Sequence, residues 1–235
     1  MVIIPEAFVY KVPEGLRPEL AVCTEIMACT YALDKAKEFS SIAAEGFLTD
    51  GTVLIQGVGP LGLAHLIKAR MMGAGRIIAT DRSAYRLRVA KEFGADEVIH
   101  VGATSQEERV QLVHDQTDGR GVDLGIECVG YPEAFPEGIE MIRRGGMYLL
   151  EGMFVDLGEI PVNPHLLVSK SLRLIGLSNH PFTGYGPSMD LMLRYQDQMP
   201  LDGFVTHSFG LDQAQEAMDT VLGQECMKVV FTPGD

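Results

Sequence analysis

The stretch VLIQGVGPLGLA, residues 53–64, decides the fold. It places an apolar run before Gly57, Gly59 and Gly62 and then continues with apolar residues at helical spacing. Gly57 permits a tight turn, Gly59 lets the backbone approach a ligand, and Gly62 lets the helix pack closely on the strand. Pro60 suits the first position of that helix, where a missing N–H costs nothing. The stretch therefore predicts a strand, a phosphate-binding turn and a helix whose N-terminus faces an anion.

Short apolar runs alternate with amphipathic segments from Thr52 onward. The predicted strands span residues 52–56, 76–81, 97–101, 122–130, 146–152 and 172–178. The predicted helices between them span residues 60–72, 83–93, 105–116 and 132–143. Such alternation is typical of a parallel sheet covered on both faces by helices. We predict an α/β fold with a doubly wound, six-stranded parallel Rossmann sheet, flanked by parts of a second domain.

The two ends of the chain have different patterns. Residues 1–50 begin with a proline-rich entry and continue with a helical pattern over residues 18–47. Asp212 is the predicted N-cap of a helix near the C-terminus. The elements predicted after the sixth strand are a loop at 179–187, a helix at 188–198, a strand at 204–209, a helix at 211–223 and a strand at 227–231.

Composition and charge disfavour several classes of protein. The 235 residues carry a formal net charge of −13. This charge disfavours nucleic acid and anionic membrane surfaces as partners, because binding to phosphates relies on Lys and Arg. The four cysteines form no CxxC pair, so buried reduced thiols are expected. No run of about 18 apolar residues occurs, and Pro5 and Pro13 interrupt the N-terminal stretch. We expect a cytoplasmic protein.

An acidic residue follows the glycine turn at the spacing expected for a dinucleotide site. Asp81 ends the predicted second strand, 19 residues after Gly62, where a carboxylate can accept hydrogen bonds from the adenosine ribose diol. Its charge repels a 2′-phosphate, which favours NAD over NADP. Arg82 weakens that inference, because an arginine can bind the phosphate. The alternative is a Rossmann sheet with no ligand or with another one, such as S-adenosylmethionine in a methyltransferase.

Five segments in a fixed order carry a resemblance to a known family. They are residues 50–99 around the glycine turn, TDGRGVDLGIECVG (117–130), RRGGMYLLEG (143–152), KSLRLIGLS (170–178) and MKVVFTP (227–233). With them the sequence resembles the medium-chain dehydrogenase/reductase family, in particular its zinc-type alcohol and polyol dehydrogenases. The resemblance implies an NAD-binding Rossmann domain at residues 31–178 and portions of a catalytic domain at 1–30 and 179–235.

The resemblance also implies a set of cofactor-binding residues. The glycine turn matches the pyrophosphate loop, Asp81 matches the ribose acid, and Arg86 falls where the family often has a basic residue near that ribose. Cys128 and Met153 have an alternative interpretation as apolar lining with no specific role. The full implied set is Gly57, Val58, Gly59, Pro60, Leu61, Gly62, Asp81, Arg82, Arg86, Cys128, Val129, Gly130, Gly152, Met153, Leu177 and Asn179.

The chemistry that the resemblance implies is hydride transfer between an alcohol carbon and nicotinamide, with zinc polarising the oxygen. The family's first zinc ligand and its His-Glu pair come from an N-terminal region that this sequence does not contain, so no complete catalytic set is implied. Glu25 matches a late zinc-ligand position, and its alternative is an exposed helix carboxylate. Cys29 and Thr30 are expected near the nicotinamide. Zinc is expected only together with the missing N-terminal region.

The six histidines show no HxxxH spacing and no His–carboxylate pairing typical of a metal or catalytic site, so each is expected to be structural. They are His65, His100, His114, His165, His180 and His207.

Two functional hypotheses remain beside the methyltransferase. The first is the NAD(H)-binding portion of a dehydrogenase for a small alcohol or polyol, nearly inactive on alcohols as an isolated 235-residue chain. The second is a non-catalytic dinucleotide-binding or assembly module. Residues 157–176 resemble the family's edge strand and its lead-in, which join two sheets across a dimer axis. A homodimer or homotetramer is therefore expected.

Overall fold

The computed structural model describes residues 4–38, 50–153 and 155–232. The chain divides into two compact units. One comprises Ala32–Ser178, and the other comprises Met1–Tyr31 together with Asn179–Asp235. The assignment of the second unit to a catalytic domain stays a prediction.

The unit Ala32–Ser178 contains a six-stranded sheet in which every neighbouring pair is parallel. Its strands are β1 (Thr52–Gln56), β2 (Arg76–Asp81), β3 (Glu97–His100), β4 (Val122–Glu127), β5 (Ile142–Leu150) and β6 (Arg173–Gly176). Their order is β3-β2-β1-β4-β5-β6. The strand order reverses between β1 and β4, which is the arrangement of a doubly wound Rossmann sheet. The predicted fold class is confirmed.

Four helices of this unit lie within two residues of where the sequence predicts them: α4 (Pro60–Met71), α5 (Ala84–Glu92), α6 (Gln106–Asp115) and α7 (Ala134–Met141). The helix α3 (Tyr31–Glu38) falls within the long helix predicted over residues 18–47, and α8 (Pro164–Ser169) was not predicted. The prediction was wrong at the start of β5, which begins at Ile142 instead of residue 146. Val122 pairs with Ile142 and Leu124 with Met147, so the residues between form a bulge, with Gly145 at φ 70°.

The core lies on both faces of the sheet. Val53, Leu54 and Ile55 of β1 have no exposed surface, and neither have Ile77 and Ile78 of β2. A central parallel strand is buried by helices on both sides, so it needs a continuous apolar run instead of an alternating one. Burial of each such side chain contributes about 1.5–3 kcal/mol to folding. The glycine turn is thus attached to a central strand whose last four residues are buried.

The second unit begins with two short helices where the sequence predicted one long helix over residues 18–47. They are α1 (Pro18–Ala21) and α2 (Thr24–Cys29). The hydroxyls of Thr24 and Thr30 donate to the carbonyls of Ala21 and Met27, three residues earlier. Such bonds compete with the helical pattern and favour helix ends. The part of the prediction at residues 39–47 lies outside the described residues.

The C-terminal part of this unit contains α9 (Tyr185–Tyr195), α10 (Ala214–Leu222) and a two-stranded parallel sheet of β7 (Val205–Gly210) and β8 (Lys228–Thr232). The helix α9 takes in the last residues of the predicted loop at 179–187. The prediction of Asp212 as an N-cap was wrong. A 3-10 turn, Leu211–Gln213, precedes α10. Within this turn, Oε1 of Gln213 accepts a hydrogen bond from the Gly210 N–H at 2.9 Å.

No helix in the described ranges combines the length and the hydropathy that a membrane crossing requires.

Candidate functional site

The candidate site lies at the edge where the parallel strands of the sheet end. Gly57 follows β1 with φ 80°, a left-handed conformation that L side chains rarely adopt. Its N–H donates to the Thr80 carbonyl of β2 at 2.8 Å. Gly59 is the N-cap of α4, and Pro60 is its first residue. The turn thus directs the N-terminus of α4 to the place where the strand order reverses, which suits an anionic group.

Gly62 is required because α4 packs directly on the turn. A Cβ at this position would lie 1.9 Å from the Gly57 carbonyl oxygen and 3.2 Å from Cγ2 of Ile55. A real Cβ does not approach a carbonyl oxygen so closely, so any other residue would push the helix away from the strand. The close packing predicted from Gly62 is therefore present.

Asp81 lies at the end of β2 and is 9% exposed. Its Oδ2 accepts the Val58 N–H at 2.8 Å, and its Oδ1 accepts the Ser83 N–H at 2.8 Å. Each bond ties the carboxylate to a loop, the first to the glycine turn and the second to the start of α5. A carboxylate has about four acceptor positions. Two of them therefore remain for a ligand, which is the number that a ribose diol needs.

Two arginines follow Asp81. Ser83 caps α5 by accepting the Arg86 N–H at 3.3 Å, which fixes the backbone of Arg86 in the first turn of the helix. A Cβ on Gly59 would lie 3.4 Å from Nη1 of Arg86, so the guanidinium lies over the glycine turn. Its Nε is buried and has no hydrogen-bond partner among the described residues. Arg82 instead stacks over the ring of Tyr131, 5.1 Å from the centroid.

The loops after β4 and β5 contact each other at the same edge. Gly130 has φ 81°, and a Cβ on it would lie 2.6 Å from the Gly152 carbonyl oxygen. Oε1 of Glu127 accepts the Val129 and Gly130 N–H groups at 2.6 and 2.7 Å. Burial raises the pKa of Glu127, although these hydrogen bonds oppose the shift. The bonds fix the loop that carries Cys128, Val129 and Gly130.

The remaining predicted cofactor residues lie beyond the ends of β5 and β6. Met153 is half-buried in the loop after β5. The Leu177 N–H donates to the Leu150 carbonyl at 3.0 Å, so the strand pairing of β6 continues one residue past its end. Asn179 has φ 60°, a conformation that asparagine adopts more easily than most residues. Asn179 is the first residue of the second unit.

Glu25, the predicted zinc ligand, has two neighbours that can also bind a metal. Nε2 of His180 lies 3.3 Å from its Oε1, and Sγ of Cys29 lies 3.9 Å from the same atom. Thr30, expected with Cys29 near the nicotinamide, is buried and donates to the Met27 carbonyl. Glu25 is therefore not a lone carboxylate within its own unit.

The comparison with protein families identifies residues 60–191 as a match to the family described as zinc-binding dehydrogenase. The match covers more than half of the chain and includes α4, Asp81 and the loops after β4 and β5. The chain belongs to the zinc-binding dehydrogenase family. The sequence resemblance to zinc-type medium-chain dehydrogenases is thereby confirmed, and the methyltransferase alternative loses its support.

Curated relatives of this zinc-binding dehydrogenase chain are themselves dehydrogenases. A 5-exo-hydroxycamphor dehydrogenase of Pseudomonas putida is 36% identical over 77% of the chain and 50% of the relative. An L-threonine 3-dehydrogenase of Pyrococcus furiosus is 30% identical over 97% of the chain and 62% of the relative. Among solved structures, an alcohol dehydrogenase from Thermotoga maritima superposes with a TM-score of 0.82 at 33% identity, covering 96% of the chain and 60% of that structure. The chain thus spans about half to three fifths of the length of these proteins.

Two histidine contacts in this zinc-binding dehydrogenase chain were missed from the sequence. His65 and Glu151 are both almost fully buried, and Nε2 of His65 lies 3.2 Å from Oε1 of Glu151. Nδ1 of His65 lies 3.0 Å from the Leu61 carbonyl and 3.9 Å from Sγ of Cys128. The pair connects α4 to the loop after β5. His65 and Glu151 are 86 residues apart in the sequence, and His180 and Glu25 are 155 residues apart. No local spacing in the sequence could therefore reveal either pair.

Two of the four cysteines match the expectation of buried reduced thiols, and the other two are less buried than expected. Cys23 and Cys226 are buried reduced thiols, and burial raises the pKa of Cys23 to about 11. Cys29 and Cys128 are reduced but only half-buried.

Proposed function

We propose that this chain is the NAD(H)-binding portion of a zinc-type alcohol or polyol dehydrogenase. The observation that carries the proposal is the carboxylate of Asp81, which holds the glycine turn and keeps two acceptor positions for a ribose diol. Hydride transfer between an alcohol carbon and nicotinamide is proposed for the whole protein. The dehydrogenase activity of relatives in the same family supports this proposal.

The proposed cofactor site places the pyrophosphate at the N-terminus of α4. The N–H groups of the turn and the dipole of the helix favour the phosphates there. Arg86, whose guanidinium lies over Gly59, adds a positive charge beside them. The proposed site residues are Gly57, Val58, Gly59, Pro60, Leu61, Gly62, Asp81, Arg82, Arg86, Cys128, Val129, Gly130, Gly152, Met153, Leu177 and Asn179.

We favour NAD over NADP because of the charge and the position of Asp81. A 2′-phosphate on the same ribose would meet a carboxylate that is 9% exposed and already fixed by two backbone N–H groups. Arg82 is the residue that could offset this repulsion. Its guanidinium stacks on Tyr131, which supports a role other than phosphate binding.

The binding of a catalytic zinc ion is proposed for the whole protein. Bound zinc polarises the oxygen of the substrate and lowers the pKa of an alcohol. The described residues fit a metal at Glu25, whose carboxylate is 62% exposed and lies near an imidazole and a thiol. The substrate, a small alcohol or polyol, and a cytoplasmic location are part of the same proposal.

Self-association is proposed through the edge of the sheet at β6. This strand has one neighbour, β5, within the described sheet, so its other edge can pair with a second copy. A C2 dimer formed in this way would extend one sheet across both subunits.

The test is a titration of the purified 235-residue chain with NADH, NADPH and S-adenosylmethionine, followed by calorimetry. We expect saturable binding of one NADH per chain and at least about tenfold weaker binding of NADPH, which corresponds to about 1.4 kcal/mol. Equal or tighter binding of NADPH would overturn the role given to Asp81. Binding of S-adenosylmethionine but of neither dinucleotide would overturn the proposed function.

A further inference from the structure

Two side chains, those of Arg82 and Tyr131, meet across the end of β1. Arg82 directly follows β2, Tyr131 lies in the loop after β4, and β1 lies between these two strands. Neighbouring strands are about 4.8 Å apart, so the ends of β2 and β4 are about 10 Å apart. The guanidinium carbon of Arg82 nevertheless lies 5.1 Å from the centroid of the Tyr131 ring. The Arg82–Tyr131 pair therefore spans the edge of the sheet beyond the glycine turn.

The backbone on both sides of the pair is fixed to the glycine turn. On the β2 side, the carboxylate of Asp81, the residue before Arg82, accepts the Val58 N–H at 2.8 Å. On the β4 side, Cγ2 of Val129 lies 2.9 Å from the place that a Cβ on Gly57 would occupy. The two loops are thus held beside the turn, and the pair joins them above it.

The pair lies where a dinucleotide has to pass. In a doubly wound sheet the ligand crosses the crevice at the point where the strand order reverses, with its pyrophosphate at the N-terminus of the first helix. The strand order reverses between β1 and β4, whereas Asp81 lies at the end of β2, on the other side of β1. A dinucleotide whose ribose is held by Asp81 therefore crosses the gap that the Arg82–Tyr131 pair closes.

The contact between Arg82 and Tyr131 can open at little cost. Tyr131 is 49% exposed, and Arg82 is exposed as well, so separating them uncovers little further apolar surface. A cation–π contact between exposed groups is also weak. Rotations of exposed side chains are fast compared with the binding of a ligand. The pair can therefore open and close while the loops that carry it stay in place.

We propose that Arg82 and Tyr131 form a clasp that closes the dinucleotide crevice in the free chain and opens when the ligand enters. This inference rests on the proposed function, because it concerns access to the same site, and it adds Tyr131, which is outside the proposed set of cofactor contacts. Only the open fraction of the molecules can bind, so the closed clasp lowers the apparent affinity. A weaker clasp should raise the affinity for NADH and for NADPH by the same factor.

The test replaces the ring of Tyr131 and leaves Arg82 unaltered. Tyr131→Leu, which removes the π face at a largely exposed position, should fold and bind both dinucleotides about two- to fivefold more tightly. The association rate of NADH, followed by stopped-flow fluorescence, should rise by the same factor, and the dissociation rate should not change. Tyr131→Phe keeps the π face and should bind like the unaltered chain.

A second cation–π contact supplies the matched control. Arg88 lies over the ring of Tyr85, 5.4 Å from its centroid, and both residues belong to α5. This contact lies within one helix and does not cross the crevice. Tyr85→Leu should therefore leave the affinities and the association rate unchanged.

A fluorescence measurement detects the clasp without any dinucleotide. The chain contains no tryptophan, so the indole of Tyr131→Trp is the single tryptophan of that variant. Tryptophan gives the strongest cation–π contacts, so this variant should bind NADH more weakly than the unaltered chain. Acrylamide should quench the indole more strongly when Arg82→Gln is added to Tyr131→Trp, because the guanidinium no longer covers the ring.

Equal quenching with and without Arg82→Gln, or unchanged dinucleotide affinity in Tyr131→Leu, would overturn the clasp and leave the proposed function intact. A gain for NADPH alone would also overturn it, because Tyr131 would then act by keeping Arg82 from the 2′-phosphate. Weaker binding of both dinucleotides by Tyr131→Leu would mean that the ring contacts the ligand, which contradicts the clasp equally. An unaltered chain that binds neither dinucleotide would overturn the proposed function, and the clasp with it.

Discussion

At the scale of single residues, Asp81 connects the fold to the proposed ligand. Its two oxygens accept the N–H groups of Val58 and Ser83, so the same carboxylate shapes the turn and presents the remaining acceptor positions. The carboxylate of Asp81 both fixes the shape of the turn and supplies the negative charge that faces the ligand. A substitution here is expected to affect stability and cofactor choice together.

Asp81→Asn should weaken NADH binding by about thirtyfold, or about 2 kcal/mol, because it removes a charged acceptor and points an NH₂ group at a backbone N–H. The same clash should lower the melting temperature by several degrees. NADPH should lose less affinity than NADH, because the repulsion of its phosphate disappears. Calorimetry with both cofactors measures the ratio.

Asp118→Asn is the matched control for this prediction. Asp118 is exposed and has φ 52°, a conformation that asparagine also adopts. Unchanged cofactor binding is expected. A ratio of NADH to NADPH affinity that stays the same in Asp81→Asn would argue against a ribose contact.

Gly62→Ala should abolish detectable NADH binding, because the new Cβ would lie 1.9 Å from the Gly57 carbonyl and must displace the turn. Gly186→Ala is the control, since Gly186 lies in the first turn of α9 and a Cβ there meets no atom within 4 Å. Fluorescence titration with NADH compares the two. Near-normal binding by Gly62→Ala would mean that α4 can shift without cost.

At the scale of elements, a buried ion pair joins α6 to α7. Arg109 donates to both carboxylate oxygens of Glu137, at 2.8 and 2.7 Å, and to the Thr104 carbonyl at 2.6 Å. The pKa of Arg109 is raised, mainly because its guanidinium donates hydrogen bonds to Glu137. Such a pair fixes the two helices relative to each other more than it adds net stability.

Arg109→Met should lower the free energy of unfolding by about 3–5 kcal/mol, because Glu137 would stay buried without its partner. The double variant Arg109→Met with Glu137→Leu should recover most of this loss. Urea unfolding of the four proteins in the cycle measures the coupling. Arg120→Met, at an exposed arginine, should change stability by less than about 0.5 kcal/mol.

At the scale of the whole molecule, the edge strand β6 predicts self-association. Light scattering should give about twice the chain mass of 25.6 kDa at tens of micromolar, a range suited to weak interfaces. Val168→Asp should shift the chain to monomer, because this valine of the lead-in to β6 is 78% exposed. Val221→Asp, in the other unit, should not. A monomer at this concentration in the unaltered chain would contradict the prediction.

Much of the sheet and of the cofactor end could be predicted from the sequence. The strands β1 and β2 were predicted with the same ends that the structure shows, because an apolar run between turn residues is a local signal. The bulge in β5 and the breaks between α1, α2 and α3 were missed. The bulge depends on the pairing of β5 with β4. The helix breaks depend on threonine hydroxyls that donate to backbone carbonyls three residues earlier.

The sequence by itself determined the alternation of strands and helices, the glycine turn, the position of Asp81 and the family to which the chain belongs. These features rest on spacings of a few residues or on motifs in a fixed order. Only the tertiary structure decided that His65 meets Glu151 and that His180 meets Glu25 and Cys29. A folded chain brings together residues that are far apart in sequence, so such clusters leave no local pattern to read.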